Sequence, residues 1–181
     1  MELELQNTIA LLERTPPALD ALLRGLPGKW TESNEGDNTW SVRDVVAHLI
    51  HGEDEDWMPR AKMILHSRET QSFTPFDRDG YVRYSRGKTL TQLLDDFARA
   101  RAKGLDELRA LKFTAVDLKK EGRHPTFGAV TLSELLTTWA AHDLTHVHQI
   151  SRIMAHQYRE AVGPWARFLG VMHCVGHSEA A

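Results

Sequence analysis

The sequence predicts an all-α protein, a four-helix bundle with a short extra helix near its C-terminal end, and three observations carry that prediction. Apolar residues recur at helical spacing over four long stretches. Segments rich in Gly, Pro and short polar residues separate those stretches. No strand-like alternation and no internal repeat competes with them, and long helices joined by short or medium connections pack most simply as a bundle. At 181 residues the chain can close a hydrophobic core, which predicts a single domain over 1–181.

The first helical stretch runs from about Leu3 to Leu23 and contains Pro16-Pro17. Proline fits the first turn of a helix but not its interior, so a kink or restart is expected after Thr15. Gly25, Pro27 and Gly28 end the stretch, and TESNEGDNT reads as a loop. The second helix opens at WSVRDVVAHLI, with Ser41 as N-cap and Asp44 three residues on, where a capping-box acid stands. Val42, Val45, Val46 and Leu49 then recur at helical spacing, and the pattern continues through Trp57, Ala61 and Leu65 with Pro59 as a bend.

SFTPFDRDGYVRYSRGKT reads as a long loop of the kind that often covers a site. A third helix follows Thr89 and continues to Leu111, weakened but not broken by Gly104. EGRHPTFGAV is a turn-rich connection. Thr131 and Glu134 form a second capping box, which opens the fourth helix, TLSELLTTWAAHDLTHVHQISRIMAHQY. Gly163-Pro164 closes that region, and PWARFLGVMH predicts a short final helix.

Composition narrows the function classes. The chain is 41% hydrophobic and 26% charged, with a net charge of −3 and basic residues scattered among acids. A nucleic-acid binder concentrates Lys and Arg on one face, so no nucleic-acid partner is expected. No apolar run is long enough to span a bilayer, so no membrane partner is expected either. MELELQNTIALLERTPP has Glu where a secretion signal needs positive charge, and Cys174 is the only cysteine. Together these predict a cytoplasmic protein without an intrachain disulfide, with Cys174 a buried or incidental thiol.

The stretch WAAHDLTHVHQI crowds His142, His146 and His148 into seven residues. A helix turns by about 100° per residue, which sorts them. Against the stripe Leu132, Leu135, Leu136, Trp139, Ile150, Ile153 and Met154, His146 lies within about 40° of the centre and His142 within about 80°. His148 points about 160° away and should face solvent. His142 and His146, at i and i+4, therefore stack on a buried face, where two imidazoles can converge on one metal or be satisfied by neighbouring groups. His48, bordering the stripe of the second helix, is the candidate third ligand; His51 falls nearly opposite that stripe and is the weaker choice. Three neutral imidazoles with open positions suit Zn²⁺, Ni²⁺ or another divalent ion.

Other metal motifs fit less well. In HDLTH, Asp143 stands where zincins carry a catalytic Glu, and it lies near the middle of the core stripe, which suits a structural or ligand-supporting role. A di-iron bundle needs Glu-x-x-His on two helices, whereas Glu121 to His124 is the one instance and sits in a turn. Gln149, three residues after His146, is placed either to orient a ligand or to be solvated. No residue is singled out as catalytic beyond the ligand set.

WSVRDVVAHL, HPTFGAVTLSELLTTWAAHDLTHVHQI and YREAVGPW together resemble the DinB-like superfamily, the DinB/YfiT-type four-helix bundles with a histidine-based metal site. The resemblance runs over most of the chain. It implies an up-down-down-up bundle, commonly a homodimer, with His48, His142 and His146 as metal ligands. It further implies a small-molecule substrate and a small metal-dependent enzyme, either a hydrolase or an S-transferase that uses a low-molecular-weight thiol. A non-catalytic bundle stabilised by the same metal, acting as a stress-related or small-molecule-binding protein, is the alternative. One fold and one metal site serve different chemistries, so the activity is an expectation by analogy.

Overall fold

The computed structural model describes residues 5–66 and 72–174. Helix α1 is Leu5–Leu12 and α2 is Thr15–Leu23; the start expected at Leu3 lies outside the described residues. The expected restart occurs, beginning at Thr15 itself, and the prolines explain it. Pro16 has no N–H to offer the Leu12 carbonyl four residues back. That carbonyl instead accepts a hydrogen bond from Arg101 Nη1 at 2.7 Å. Gly25, at φ +81°, then takes the left-handed conformation that turns the chain out of α2.

After the short α3 (Gly28–Thr31), helix α4 spans Val42–Gly52. The predicted capping box is formed: Asp44 N donates to Ser41 Oγ at 3.2 Å, and Ser41 N donates to Asp44 Oδ2 at 2.9 Å. The helix widens into a π turn over Glu53–Trp57 and continues as α5, Met58–His66. Pro59 cannot donate to the Glu55 carbonyl, and the loosened turn sits where that bond is missing. The expected bend is therefore a π turn.

The covering segment contains a short helix, α6 (Tyr81–Ser85), that packs on α4. Helix α7, Leu90–Ala110, starts at a Thr89–Gln92 capping box, and α8, Leu132–His156, starts at the predicted Thr131–Glu134 box. No helix is long and apolar enough to cross a membrane among the described residues.

Three expectations are corrected. The turn-rich connection holds a hairpin, β1 (Glu121–His124) and β2 (Gly128–Thr131), in antiparallel register from Glu121↔Thr131 to His124↔Gly128. Strands of four residues are too short to show alternation, and tertiary contacts hold them. Phe73 N donates to the Arg123 carbonyl at 2.8 Å, and a Cβ on Gly122 would stand only 2.6 Å from the Phe73 ring. The final segment is helical but of 3₁₀ type, over Gly163–Phe168 and Gly170–Met172. Gly163 sits at φ +51° and Pro164 follows it, which favours tight turns over an α-helix. Cys174 is exposed, which overturns the buried branch of its expectation and is consistent with an incidental thiol.

The core has two apolar halves. One gathers Ile9, Leu12, Trp57, Met58 and Leu105 around Trp139; the other gathers Leu19, Val45, Val46, Leu93 and Phe97 around Ile150 and Ile153. The predicted α8 stripe is buried along its length apart from Met154, which is partly buried against the second half.

Where the halves meet, a charged cluster is fully enclosed. Arg101 holds Asp143 through two hydrogen bonds of 2.6 and 2.8 Å and Glu53 through one of 2.8 Å. Trp139 Nε1 donates to the same Glu53 oxygen at 2.9 Å. The guanidinium also lies over the rings of Phe97 and Trp139, at 5.0 and 5.3 Å. Burial works against the Arg101 charge, but the bonds and charges of Asp143 and Glu53 outweigh it and hold the group protonated. Burial pushes the Glu53 carboxyl up against the opposing pull of Arg101. Gly104 explains itself here: a Cβ would stand 3.1 Å from Glu53 Oε2 and 3.4 Å from Trp139, so α7 accepts a poor helix former to approach α8.

Removing one partner of such a cluster strands the others. Arg101→Met should destabilise the protein by about 3–5 kcal/mol, because Asp143 and Glu53 lose their counter-charge and the Leu12 carbonyl its donor. Urea denaturation of the variant beside wild type measures this; a loss under about 1 kcal/mol would contradict the assignment.

Candidate metal centre

His48 projects from the middle of α4, and His142 and His146 project from adjacent turns of α8. Their Nε2 atoms converge: His48 to His142 is 3.2 Å and His146 to His142 is 3.0 Å. Mutual hydrogen bonding cannot satisfy this arrangement. Each imidazole nitrogen offers one in-plane position, a proton or a lone pair, and His142 Nε2 faces two partners. A tetrahedral ion with metal–nitrogen bonds of about 2.0–2.1 Å needs nitrogens about 3.3–3.4 Å apart, close to what is seen. The donor set therefore fits a divalent metal, and His48, His142 and His146 could hold one.

The surroundings keep these rings in the ligating, neutral form. Burial pushes His48 down to about 3, with the nearby charges of His146, His51 and Arg78 adding to the effect. Burial likewise pushes His142 well down, reinforced by His146 and His48. Burial lowers His146 as well, although its bond to Gln149 pulls the other way. That bond, His146 Nδ1 to Gln149 Oε1 at 2.7 Å, gives Gln149 an orienting role. The Nδ1 atoms of His48 and His142 are buried with no partner among the described residues.

The sequence-based sorting of the other histidines is partly upheld. His148 is exposed, as its facing predicts. His51 is fully buried, although it points away from the α4 stripe. The covering segment buries it: its ring stacks between Phe76 at 4.4 Å and Tyr84 at 5.3 Å, and its Nε2 lies 3.3 Å from Glu55. A Cβ on Gly80 would fall 2.3 Å from the His51 ring, so this packing requires glycine. Asp143 does not reach the three nitrogens; it belongs to the Arg101 cluster.

A cavity of about 590 Å³ opens in front of the triad. Its apolar wall is Trp40, which packs against His48 at 4.8 Å, and Phe76, edge-on to the same ring at 5.7 Å. Its polar wall includes Asp56, Arg60 and Arg78, which the sequence did not single out, and His124, which it offered only in the rejected Glu-x-x-His motif. A signal for two of them was present: His48, Gly52, Asp56 and Arg60 recur every four residues, and all four line the cavity. Asp56 is paired with Arg60 at 2.5 Å, and burial raises its carboxyl despite that pair. His124 caps its own turn, its Nδ1 accepting from Thr126 N and Phe127 N at 3.1 and 3.3 Å, and burial lowers it.

These shifts set a pH dependence for the metal-free protein. The unfolded chain takes up protons on these histidines below their ordinary 6.5, whereas the native rings resist them. Stability is thus fully present above about pH 6.5 and is lost as pH falls toward the His48 value of about 3, by up to about 1.4 kcal/mol per pH unit for each ring. Denaturation of EDTA-treated protein at stepped pH should show this slope, and His48→Ala should flatten it by one ring's share. An unchanged slope would mean that His48 titrates normally.

Comparisons with known proteins bear on the family and the fold. Residues 11–150 match the family model of the DinB superfamily. Among solved structures, YfiT from Bacillus subtilis, described as a probable metal-dependent hydrolase with an unusual four-helix bundle topology, is 23% identical. It superposes with a TM-score of 0.71 over 86% of this chain and 87% of its own. A search of curated proteins found no significant match. The four-helix fold is thus shared with YfiT, and on the family match this chain belongs to the DinB superfamily.

Proposed function

We propose that the chain is a small metal-dependent enzyme, a hydrolase acting on a small molecule in the cavity before His48, His142 and His146. The observation that carries this reading is the convergence of three buried, neutral imidazole nitrogens at the floor of an open cavity. A structural metal site is normally closed by its ligands, whereas a catalytic one keeps a position for water or substrate. The description of YfiT as a probable metal-dependent hydrolase points the same way. Zn²⁺ and Ni²⁺ suit an all-imidazole set.

A divalent ion bound there supplies Lewis acidity and a nucleophilic water. The chain's own groups would do the rest. Gln149 fixes the His146 ring. Trp40 and Phe76 exclude bulk solvent from one side. Asp56, raised by burial and two helical turns along from His48 on the same wall, would take up and return the substrate's proton. S-transfer by a low-molecular-weight thiol is the competing chemistry, in which the bound thiolate replaces water as nucleophile.

Metal analysis of untagged protein should find about one divalent ion per chain, and His142→Ala should lose it. Metal content that is negligible, or unchanged in that variant, removes the centre. With the ion confirmed, a panel of activated esters and amides, run beside a thiol-plus-electrophile panel, separates the two chemistries. Asp56→Asn should lower hydrolysis about 100-fold with metal content unchanged. Turnover only when thiol is supplied would replace hydrolysis by S-transfer.

A further inference from the structure

The charges on the cavity wall do not cancel. Asp56 is neutralised by Arg60, 2.5 Å away. Glu35 is held by Arg152 through contacts of 2.8, 3.0 and 2.7 Å. Both wall carboxylates therefore have a guanidinium of their own. Arg78 also lines the cavity, and among the described residues it has no carboxylate partner. Its neighbour Asp77 is engaged by Arg83 at 2.7 Å, and Asp79 does not line the cavity. Arg78 lies on the covering segment two residues from Phe76, whose ring stands edge-on to His48.

We infer that the substrate carries an oxyanionic group, a carboxylate or a sulfonate-like or phosphate-like group, which Arg78 binds while the reactive end reaches the three histidines. This rests on the metal-centre reading above and names the substrate class for it. With the two wall pairs closed, Arg78 is the one charged side chain among the described lining residues without a counter-charge, and a divalent ion would add to it. A cation has no carboxylate left to meet. A neutral molecule gains nothing from the guanidinium, which is exposed and then stays hydrated. An anion that spans the cavity satisfies both poles, and the planar fork of arginine matches two oxygens at once. The hairpin turn also lines the cavity, through His124 and Thr126, and adds no carboxylate, which leaves Arg78 as the group that selects for charge.

The test uses Co²⁺-loaded protein, because its visible spectrum reports metal uptake and thiolate coordination separately. It is titrated with 3-mercaptopropionate, 2-mercaptoethanesulfonate and the neutral 3-mercaptopropanol. The anionic probes should bind at least about tenfold more tightly than the neutral one. Arg78→Gln should abolish that preference while leaving the Co²⁺ spectrum and the neutral probe's affinity unchanged, and Arg78→Lys should restore part of it. A preference for carboxylate over sulfonate, or the reverse, identifies the oxyanion. Equal binding of charged and neutral probes, or a preference that survives Arg78→Gln, overturns the inference. In metal-stripped protein the Arg78 Nε–H resonance should shift with millimolar 3-mercaptopropionate and not with 3-mercaptopropanol. Absence of that shift overturns it too. Failure of Co²⁺ uptake with the shift retained would overturn the metal reading alone.

Discussion

Arg101 is the group on which the rest of the structure depends. A guanidinium buried without partners is far too costly to persist, so its position dictates what must stand around it. It draws the Leu12 carbonyl from the first helical segment, Glu53 from the π turn and Asp143 from α8, and it does so from the middle of α7. All four long helical segments thus contribute to one hydrogen-bonded cluster at the level where the apolar halves of the core meet. Apolar packing alone tolerates sliding of one helix past another. A charged cluster with directional bonds does not, and it sets the relative height of α4 and α8.

That height is what the candidate centre needs. His142 immediately precedes Asp143, and His48 lies five residues before Glu53. When Arg101 clamps Asp143 and Glu53, the neighbouring turns of the same two helices bring His48 and His142 to 3.2 Å. The π turn then carries the chain past Pro59 with Asp56 and Arg60 still on the cavity side and Trp57 in the core. The site and the clamp are neighbouring faces of one helix pair.

The covering segment completes the centre from outside the bundle. Phe76 on this segment and Trp40 before α4 pack on His48, and burial is what lowers its affinity for a proton. The segment is tied down by polar contacts as well as by packing: Arg43 donates to the Ser85 and Lys88 carbonyls, and Arg83 pairs with Glu55 and Asp77. The burial of His51 has the same origin, since its face of α4 looks away from the bundle yet toward this segment.

By itself the sequence determined the bundle, the starts of its long helices at Ser41, Thr89 and Thr131, and the inward facing of two of the three histidines that converge. Helical periodicity, the Ser41 and Thr131 capping boxes and the Pro16-Pro17 break are local signals, because each arises from atoms within about one turn of each other. The inward facing of His142 and His146 is local in the same sense, being angles on one helix. His48 was only marginal by that reasoning, since its angle on α4 says nothing about which helix it meets; the family resemblance and then the fold brought it in. Only the tertiary structure decided that Asp143 and Glu53 share Arg101, that His51 is buried, that EGRHPTFGAV pairs as a hairpin, and that Arg78 stands on the cavity wall with no carboxylate partner among the described residues. The shared Arg101, the burial of His51 and the Phe73–Arg123 bond that supports the hairpin depend on contacts between segments tens of residues apart, and such contacts leave no periodic trace in the chain.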